Sequence, residues 1–201
     1  NELNSVVFMK YFIIIVGLLC CSQVLSGQTK NEKEARIDLK AFPDKARAVV
    51  NSLPEKCKRL RHYKEKDGDK NSFESKFKYE GEHYSLEFNP DGIIEDIEVI
   101  IKFKKLEDTP RNAIETYFKT AYKKYDLIKI QKQYVFDAVK DPLVFLNEVL
   151  SKRSSATVNY EIISEVTTKS ERNIREFSFN SNGNFLRFKV LDPDSYEHAL
   201  Y

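Results

Sequence analysis

Acidic side chains form the densest group of potentially reactive residues in this chain, around Glu95, Asp96 and Glu98. Paired carboxylates can act as general acid and base, or they can bind calcium. An EF-hand calcium loop needs acidic residues at fixed positions with glycine at the sixth, and Asp91 and Gly92 do not stand in such a frame. Asp96 and Glu98 alternate along a predicted strand, so they share a face. We expect that face to be solvated or to meet a partner, because paired charges are costly to bury.

Other nucleophiles and metal ligands are isolated in the sequence. His62, His83 and His198 have neither a histidine four residues away nor a neighbouring cysteine, so no metal site is expected. Cys57 lies among basic residues that could lower its pKa, but a thiol just after a helix is more often a packing residue. The six glycines lie in or beside a leader or in hairpin turns, which leaves none for a phosphate-binding loop. We therefore expect no cofactor and no enzymatic activity.

Composition limits the kinds of partner. Of the 201 residues, 41% are hydrophobic and 12% are aromatic, which is enough for a substantial core. Lysine and arginine total 33 against 31 aspartate and glutamate, and the two signs alternate along the chain. Because the basic residues do not cluster, nucleic-acid binding is not expected.

The start of the chain predicts export. Residues 1–8 are treated as upstream sequence, and residues 9–27 have the basic start, apolar run and small-residue cleavage site of a secretory signal peptide. The apolar run is too short for a membrane span, so a retained anchor is a lesser alternative. Cys20 and Cys21 lie in this leader, and a lipoprotein acylated there is a minor alternative. Residues 28–40 are polar and predict a flexible lead-in, and the mature protein is expected in the periplasm or outside the cell.

Further along, residues 72–103 predict a β-meander with tight turns at Glu80-Gly81 and at Asn89-Pro90-Asp91-Gly92. Phe73 and Phe77 alternate with charged residues, as expected for a sheet with one buried and one wet face.

The rest of the chain predicts alternating helices and strands. Prolines and apolar spacing predict helices over residues 43–53 and 110–122, with Thr109 as N-cap of the second, and over 142–152 with Leu143 on the apolar side. Alternating patterns predict further strands at 59–66, 126–136, 158–168, 174–180 and 184–190.

One turn recurs almost unchanged. Phe88-Asn89-Pro90-Asp91-Gly92 matches Phe179-Asn180-Ser181-Asn182-Gly183, and such internal similarity predicts repeated structural units. The predicted divisions are a first repeat at 41–106, a second repeat at 107–192 with a helical insertion at 137–157, and a tail at 193–201.

On these residues, together with Tyr84 to Glu87 and Glu176 to Ser178 before the two turns, the chain resembles the PepSY-like group of β-lactamase-inhibitor-like proteins, common in Bacteroidota envelopes. The likeness spans Phe42 to Val190, although the paired cysteines of the inhibitor prototypes are absent from the mature chain. The resemblance implies an α+β fold of two repeats, each a helix plus an antiparallel β-meander. Their strands would join into one extended antiparallel sheet, with helices packed on one face and the other face open to a protein partner.

That open face is the candidate partner-binding surface. Its predicted residues are Lys76, Lys78, Glu87, Asp96, Glu98, Gln131 and Gln133. We expect a monomer, with no transmembrane segment in the mature chain, that recognises or inhibits a protein or peptide of the envelope without catalysis. A carrier or sensor holding a small ligand between sheet and helices is the main alternative, a plain solvated face without a binding role is another, and an enzyme ranks last.

Overall fold

The structure is a computed structural model that describes residues 28–30, 32–169 and 171–191. These residues form three α-helices and ten β-strands, which confirms the predicted α+β class. The helices are α1 (Asp44–Asn51), α2 (Asp108–Ala121) and α3 (Pro142–Leu150). The strands are β1 (Gln28–Lys30), β2 (Glu32–Ile37), β3 (Lys58–Asp67), β4 (Lys70–Tyr79), β5 (Glu82–Phe88), β6 (Ile94–Ile100), β7 (Lys124–Val135), β8 (Val158–Thr167), β9 (Arg172–Phe179) and β10 (Phe185–Leu191).

All ten strands belong to one sheet, in the order β1-β10-β9-β8-β7-β6-β5-β4-β3-β2. Every pair is antiparallel except β1 with β10. β1 and β2 occupy opposite ends of this order, although only one residue separates Lys30 from Glu32, a step of at most about 7 Å. The two ends of the sheet must therefore meet. An ion pair between Lys189 on β10 and Asp67 on β3, with 2.8 Å between nitrogen and oxygen, joins them, so the sheet is rolled.

All three helices pack against the same face of this rolled sheet, which we call the apolar face. Buried side chains of α1 and α3 form one cluster with apolar residues of β4, β5 and β6. Buried side chains of α2, chiefly Ile114 and Phe118, form a second cluster with residues of β7, β8 and β9. Burial of these apolar side chains is the main stabilising contribution to the fold.

Two turns of the same geometry fasten α1 and α2 to the sheet. The side-chain oxygens of Asn89 and Asn180 each accept two backbone N–H bonds of 3.0 Å. Gly92 and Gly183 follow with φ values of 76° and 79°. A Cβ atom at Gly183 would lie 2.6 Å from the carbonyl oxygen of Pro110, and one at Gly92 would lie 2.8 Å from the Cβ of Pro43, just before α1. Both turns therefore require glycine for backbone conformation and for close packing.

Three sequence predictions of local structure were wrong. Residues 28–40, predicted as a flexible lead-in, contain β1 and β2, whose backbones pair with β10 and β3. α2 begins at Asp108 with Glu107 rather than Thr109 at the N-cap position, since a proline is tolerated anywhere in the first turn. Leu143, predicted on the apolar side of α3, is 41% exposed. The residues that α3 buries are Phe145, Leu146, Val149 and Leu150.

The predicted leader and the predicted tail lie outside the described residues. Within the described ranges, none of the helices has the length and apolar content that a membrane crossing needs.

Candidate functional site

The sheet face opposite the helices, which we call the polar face, carries all seven residues of the predicted partner-binding surface. Cross-strand pairing aligns Lys76 with Ser85, Ser85 with Glu98, and Glu98 with Gln133 in one row across four strands. A second row aligns Glu74, Glu87 and Asp96. The predicted residues therefore do share a face, as their alternation along the strands indicates.

The prediction that this face is open was wrong. Of the seven predicted residues, Asp96, Glu98 and Gln131 are only 8%, 5% and 9% exposed and the other four are half-buried, yet the helices pack on the other side of the sheet. Their burial results from the roll of the sheet, which turns the polar face inward and encloses it. We call the enclosed space the polar interior. Strand alternation predicts which residues share a face, but it carries no information on the curvature that decides whether the face is wet.

A β-bulge aims the acidic residues of β6 into this interior. Phe88 pairs with Ile94, but Glu87 pairs with Asp96, so Glu95 is the extra residue. In a regular ladder that continued from the pair of Phe88 and Ile94, Glu87 would lie opposite Glu95. Asp96 would then lie opposite Leu86 and point to the apolar face. The bulge follows the Asn89 turn and re-aims every later side chain of the strand, which is a common role of bulges near functional sites.

One group of interior carboxylates contains its own cation. Glu34, Glu65 and Glu74 converge on the polar face, and the ammonium nitrogen of Lys76 lies 3.0 Å from a Glu34 oxygen and 3.1 Å from a Glu74 oxygen. Burial acts to raise the pKa of Glu74, but the hydrogen bond with Glu65, the charge of Lys76 and the hydroxyl of Ser85 together hold that pKa below its ordinary value. We call this group the Lys76-bound trio.

A second group, Glu87, Asp96 and Glu98, forms the central trio. Each residue offers one carboxylate oxygen, and these oxygens lie within 4.8 Å of one another. The Gln133 side-chain amide donates to Asp96 Oδ2 at 3.2 Å and to Glu98 Oε1 at 3.4 Å, and the Gln131 amide donates to Glu98 Oε2. Asp96 Oδ1 is buried and has no hydrogen-bond partner. The central trio thus brings three carboxyl groups together in the polar interior.

The pKa values of the central trio are raised, whereas the pKa of Glu74 in the Lys76-bound trio is lowered. Burial, and then the charges of Glu161 and Glu95, raise the pKa of Asp96 to about 8, although Lys70 acts in the opposite direction. Burial, followed by the repulsion of neighbouring carboxylates, also raises the pKa of Glu87 and of Glu98 well above the ordinary value. Desolvation and like charges both favour the protonated form, and together they outweigh the nearby lysines.

A cavity of about 250 Å³ reaches the polar interior next to the central trio. Ser85, Glu98 and Gln131 line the cavity together with basic residues, which include Lys76 and Lys129. The cavity therefore offers a polar ligand both acidic and basic groups. Ser85 donates its hydroxyl to Glu74 rather than to a histidine, so it is not an activated nucleophile.

The isolated residues considered as nucleophiles or ligands lie apart from the trios. Cys57 is a half-buried free thiol in the loop before β3, and burial raises its pKa, whereas the neighbouring basic residues had suggested that it would be lowered. The His62 ring nitrogen is 2.9 Å from the Ser75 hydroxyl oxygen, and burial lowers its pKa. His83 lines the cavity, and His198 lies outside the described residues.

Several interior residues were not among the seven predicted. Glu34, Glu65, Glu161 and Glu176 lie on the polar face of strands remote in sequence from the meander. Alternation within their own strands is the signal that could have identified them. It was overlooked for Glu34, because residues 28–40 were predicted to be flexible.

No family model and no curated protein matches the sequence. A DUF2874 family protein from Bacteroides ovatus has a similar fold, with 12% identity over 77% of this chain and 96% of that chain and a TM-score of 0.50. This likeness shows the fold alone. A protein of Bacteroides eggerthii, provisionally described as periplasmic, shares 10% identity over 74% and 88% of the two chains with a TM-score of 0.49. Another from Bacteroides thetaiotaomicron, provisionally described as calcium-regulated and periplasmic, shares 19% identity over 78% and 96% with a TM-score of 0.28. Those two scores are too low to support an argument about this chain.

Raising the pH is expected to destabilise the ligand-free protein. The folded-state pKa of Asp96 is about 8, above the ordinary value of 3.8, so the folded protein keeps a proton that the unfolded chain has already released. The contribution of Asp96 to the free energy of unfolding is therefore greatest below pH 3.8, its pKa in the unfolded chain. That contribution is lost as the pH rises towards about 8, its pKa in the folded protein. Each retained proton corresponds to about 1.4 kcal/mol per pH unit.

Urea unfolding of chelator-treated protein at intervals from about pH 5 to pH 8 measures this effect. An Asp96→Asn variant should show a flatter dependence. Stability that is constant or rises over the same interval would contradict the prediction.

Proposed function

We propose that this protein is a non-catalytic binding protein of the bacterial envelope that holds a small polar ligand or an ion in the polar interior. The observation that carries the proposal is the burial of a carboxylate-rich sheet face that the helices do not cover and that a cavity reaches at Glu98. Binding sites are commonly concave, largely preformed and equipped with a few convergent polar groups. The proposal corresponds to a carrier or sensor, although the ligand lies inside the rolled sheet rather than between sheet and helices.

The charges of the interior support binding rather than a purely structural role. Buried carboxylates with raised pKa values destabilise the folded chain whenever they ionise, so the central trio costs stability at neutral pH. Groups that are costly to the fold and that converge beside a cavity are candidates for function. A ligand that supplies positive charge or hydrogen-bond donors would offset that cost.

Assignment to the envelope, and to two PepSY-like repeats, belongs to the same proposal. The predicted leader of residues 9–27 supports export. The matching turns at Asn89 and Asn180, each packed against the first turn of a helix, support the repeat.

Native mass spectrometry of the purified chain tests the proposal. The native mass should exceed the denatured mass by that of the bound species, because a ligand enclosed by the sheet should survive gentle purification. A Glu87→Gln, Glu98→Gln double variant should lose the added mass. Glu115→Gln, the same chemical change on the exposed surface of α2, is the matched control and should keep it. Identical native and denatured masses under every condition tested, including added cations and small zwitterions, would overturn the proposal.

Recognition or inhibition of an envelope protein is the second candidate function. The predicted open face is enclosed, so a protein partner would have to meet another surface. Val139, Leu143 and Val144, at the start of α3, are 90%, 41% and 48% exposed, which favours this region for contact with a partner. A partner captured by the wild-type chain but not by a Leu143→Ser, Val144→Ser variant would support it.

A further inference from the structure

The two carboxylate trios of the polar interior make an internal comparison. In the Lys76-bound trio an ammonium group lies within 3.1 Å of two carboxylates. Around the central trio, Lys70 is paired with Glu95 at 2.9 Å, and the charge of Lys129 acts on Glu98. Both trios bring three carboxylate oxygens within 4.8 Å of one another. The Lys76-bound trio thus shows that three converging carboxylates of this interior take up a positive group.

Asp96 provides a second and independent observation. Its side chain is 8% exposed, and its Oδ1 atom is buried without a hydrogen-bond partner. Buried carboxylate oxygens are nearly always paired with a donor or a cation, because an unpaired one loses its hydration without compensation. Asp96 Oδ1 therefore points to a bound positive group at the central trio.

We propose that Glu87, Asp96 and Glu98 bind one calcium ion in the polar interior. This inference rests on the proposed function and specifies the ligand class. Calcium takes six to eight oxygen ligands at about 2.3–2.6 Å, so oxygens on opposite sides of the ion lie up to about 5 Å apart. The separations of at most 4.8 Å within the central trio fit that span.

The donor set argues for calcium over other common ions. All three side chains are carboxylates, without the histidine or cysteine that zinc and copper favour. Magnesium requires near-ideal octahedral geometry at about 2.0–2.1 Å and tends to keep several waters, which an enclosed site does not readily accommodate. Gln131 and Gln133 contact the same carboxylates, and rotation of either amide would turn a carbonyl oxygen towards the ion as a further ligand.

Calorimetric titration of calcium chloride into chelator-treated protein near pH 7 tests the inference. We expect saturable binding of one calcium ion per chain. The thermal midpoint should rise by several degrees at saturating calcium. Magnesium at the same concentration should produce a smaller shift.

The test variant is Glu87→Gln, Asp96→Asn, which preserves shape and removes two charges. It should lose at least about tenfold in calcium affinity, while its midpoint without calcium should equal or exceed that of the wild type because repulsion is relieved. Glu65→Gln, the same type of change in the Lys76-bound trio, is the matched control and should retain wild-type calcium affinity.

The outcomes separate this inference from the proposed function. If wild-type protein shows neither heat nor a shift of the midpoint with calcium, the calcium inference is overturned. The proposed function then survives only if native mass spectrometry shows another bound species. If the test variant binds calcium as tightly as the wild type, the ion lies elsewhere and the assignment to the central trio is overturned.

Discussion

Replacing Lys76 by methionine is expected to lower the free energy of unfolding by about 3–5 kcal/mol at neutral pH, the usual cost of removing one partner from a buried ion pair. The Lys76 ammonium group is 3.0 Å from Glu34 and 3.1 Å from Glu74, and its side chain is 19% exposed. Methionine fills the space of the aliphatic stem, so the loss reports on charge and not on packing. The remaining carboxylates would then repel one another inside the sheet.

Urea unfolding at neutral pH measures the loss, and Lys40→Met is the matched control. Lys40 forms a pair with Asp38 in which the side chains are 84% and 68% exposed, and such surface pairs contribute little. A double variant, Lys76→Met with Glu74→Gln, should recover part of the stability, because the two residues are directly coupled. A loss for Lys76→Met no larger than that for Lys40→Met would show that Lys76 is not an essential counter-charge.

Replacing Gly183 by alanine is expected to lower the free energy of unfolding by about 2–5 kcal/mol, since two costs add. The φ value of 79° is one that side chains rarely adopt. The new methyl group would also lie 2.6 Å from the carbonyl oxygen and 2.7 Å from the Cα of Pro110. These are backbone atoms of α2, so the helix or the turn must move.

Gly68→Ala separates these two costs. Gly68 has a φ of 60°, but a Cβ atom there would meet nothing within 4 Å, so only the conformational cost applies, about 1–2 kcal/mol. Chemical denaturation of the two variants in parallel gives the difference, which is the contribution of close packing between turn and helix. Equal losses would contradict the packing that the structure shows at Pro110.

Local structure was largely predictable from the sequence because its determinants are local. A helix was predicted from residue 142, and the carboxylate of Asp141 just before it accepts N–H bonds from Leu143 and Val144 at 2.9 and 3.0 Å. Phe77 is 2% exposed on the apolar face, as its alternation with charged residues indicated. The seven predicted site residues share one face for the same reason.

The environment of those seven residues could not be predicted, because it depends on contacts between distant parts of the chain. Glu98 pairs with Gln133 of β7, and its burial requires the whole sheet to roll. A strand with alternating charges has the same sequence pattern whether its polar face meets water or an enclosed interior. Carboxylates that were expected to be solvated are therefore buried or half-buried, and burial raises their pKa values.

The pairing of residues 28–37 with both ends of the sheet has a consequence for the order of folding. Gln28 lies opposite Lys189, and Ile37 lies opposite His62, so one short segment covers β10 and β3 at once. The pairing of β1 with β10 joins nearly opposite ends of the chain and forms slowly, because a long loop must close before it contributes. Until then, β10 would present an unpaired strand edge, which is a site of edge-to-edge aggregation. The docking of β1 onto β10 would thus be a late step, and it would end the period in which the folding chain is prone to self-association.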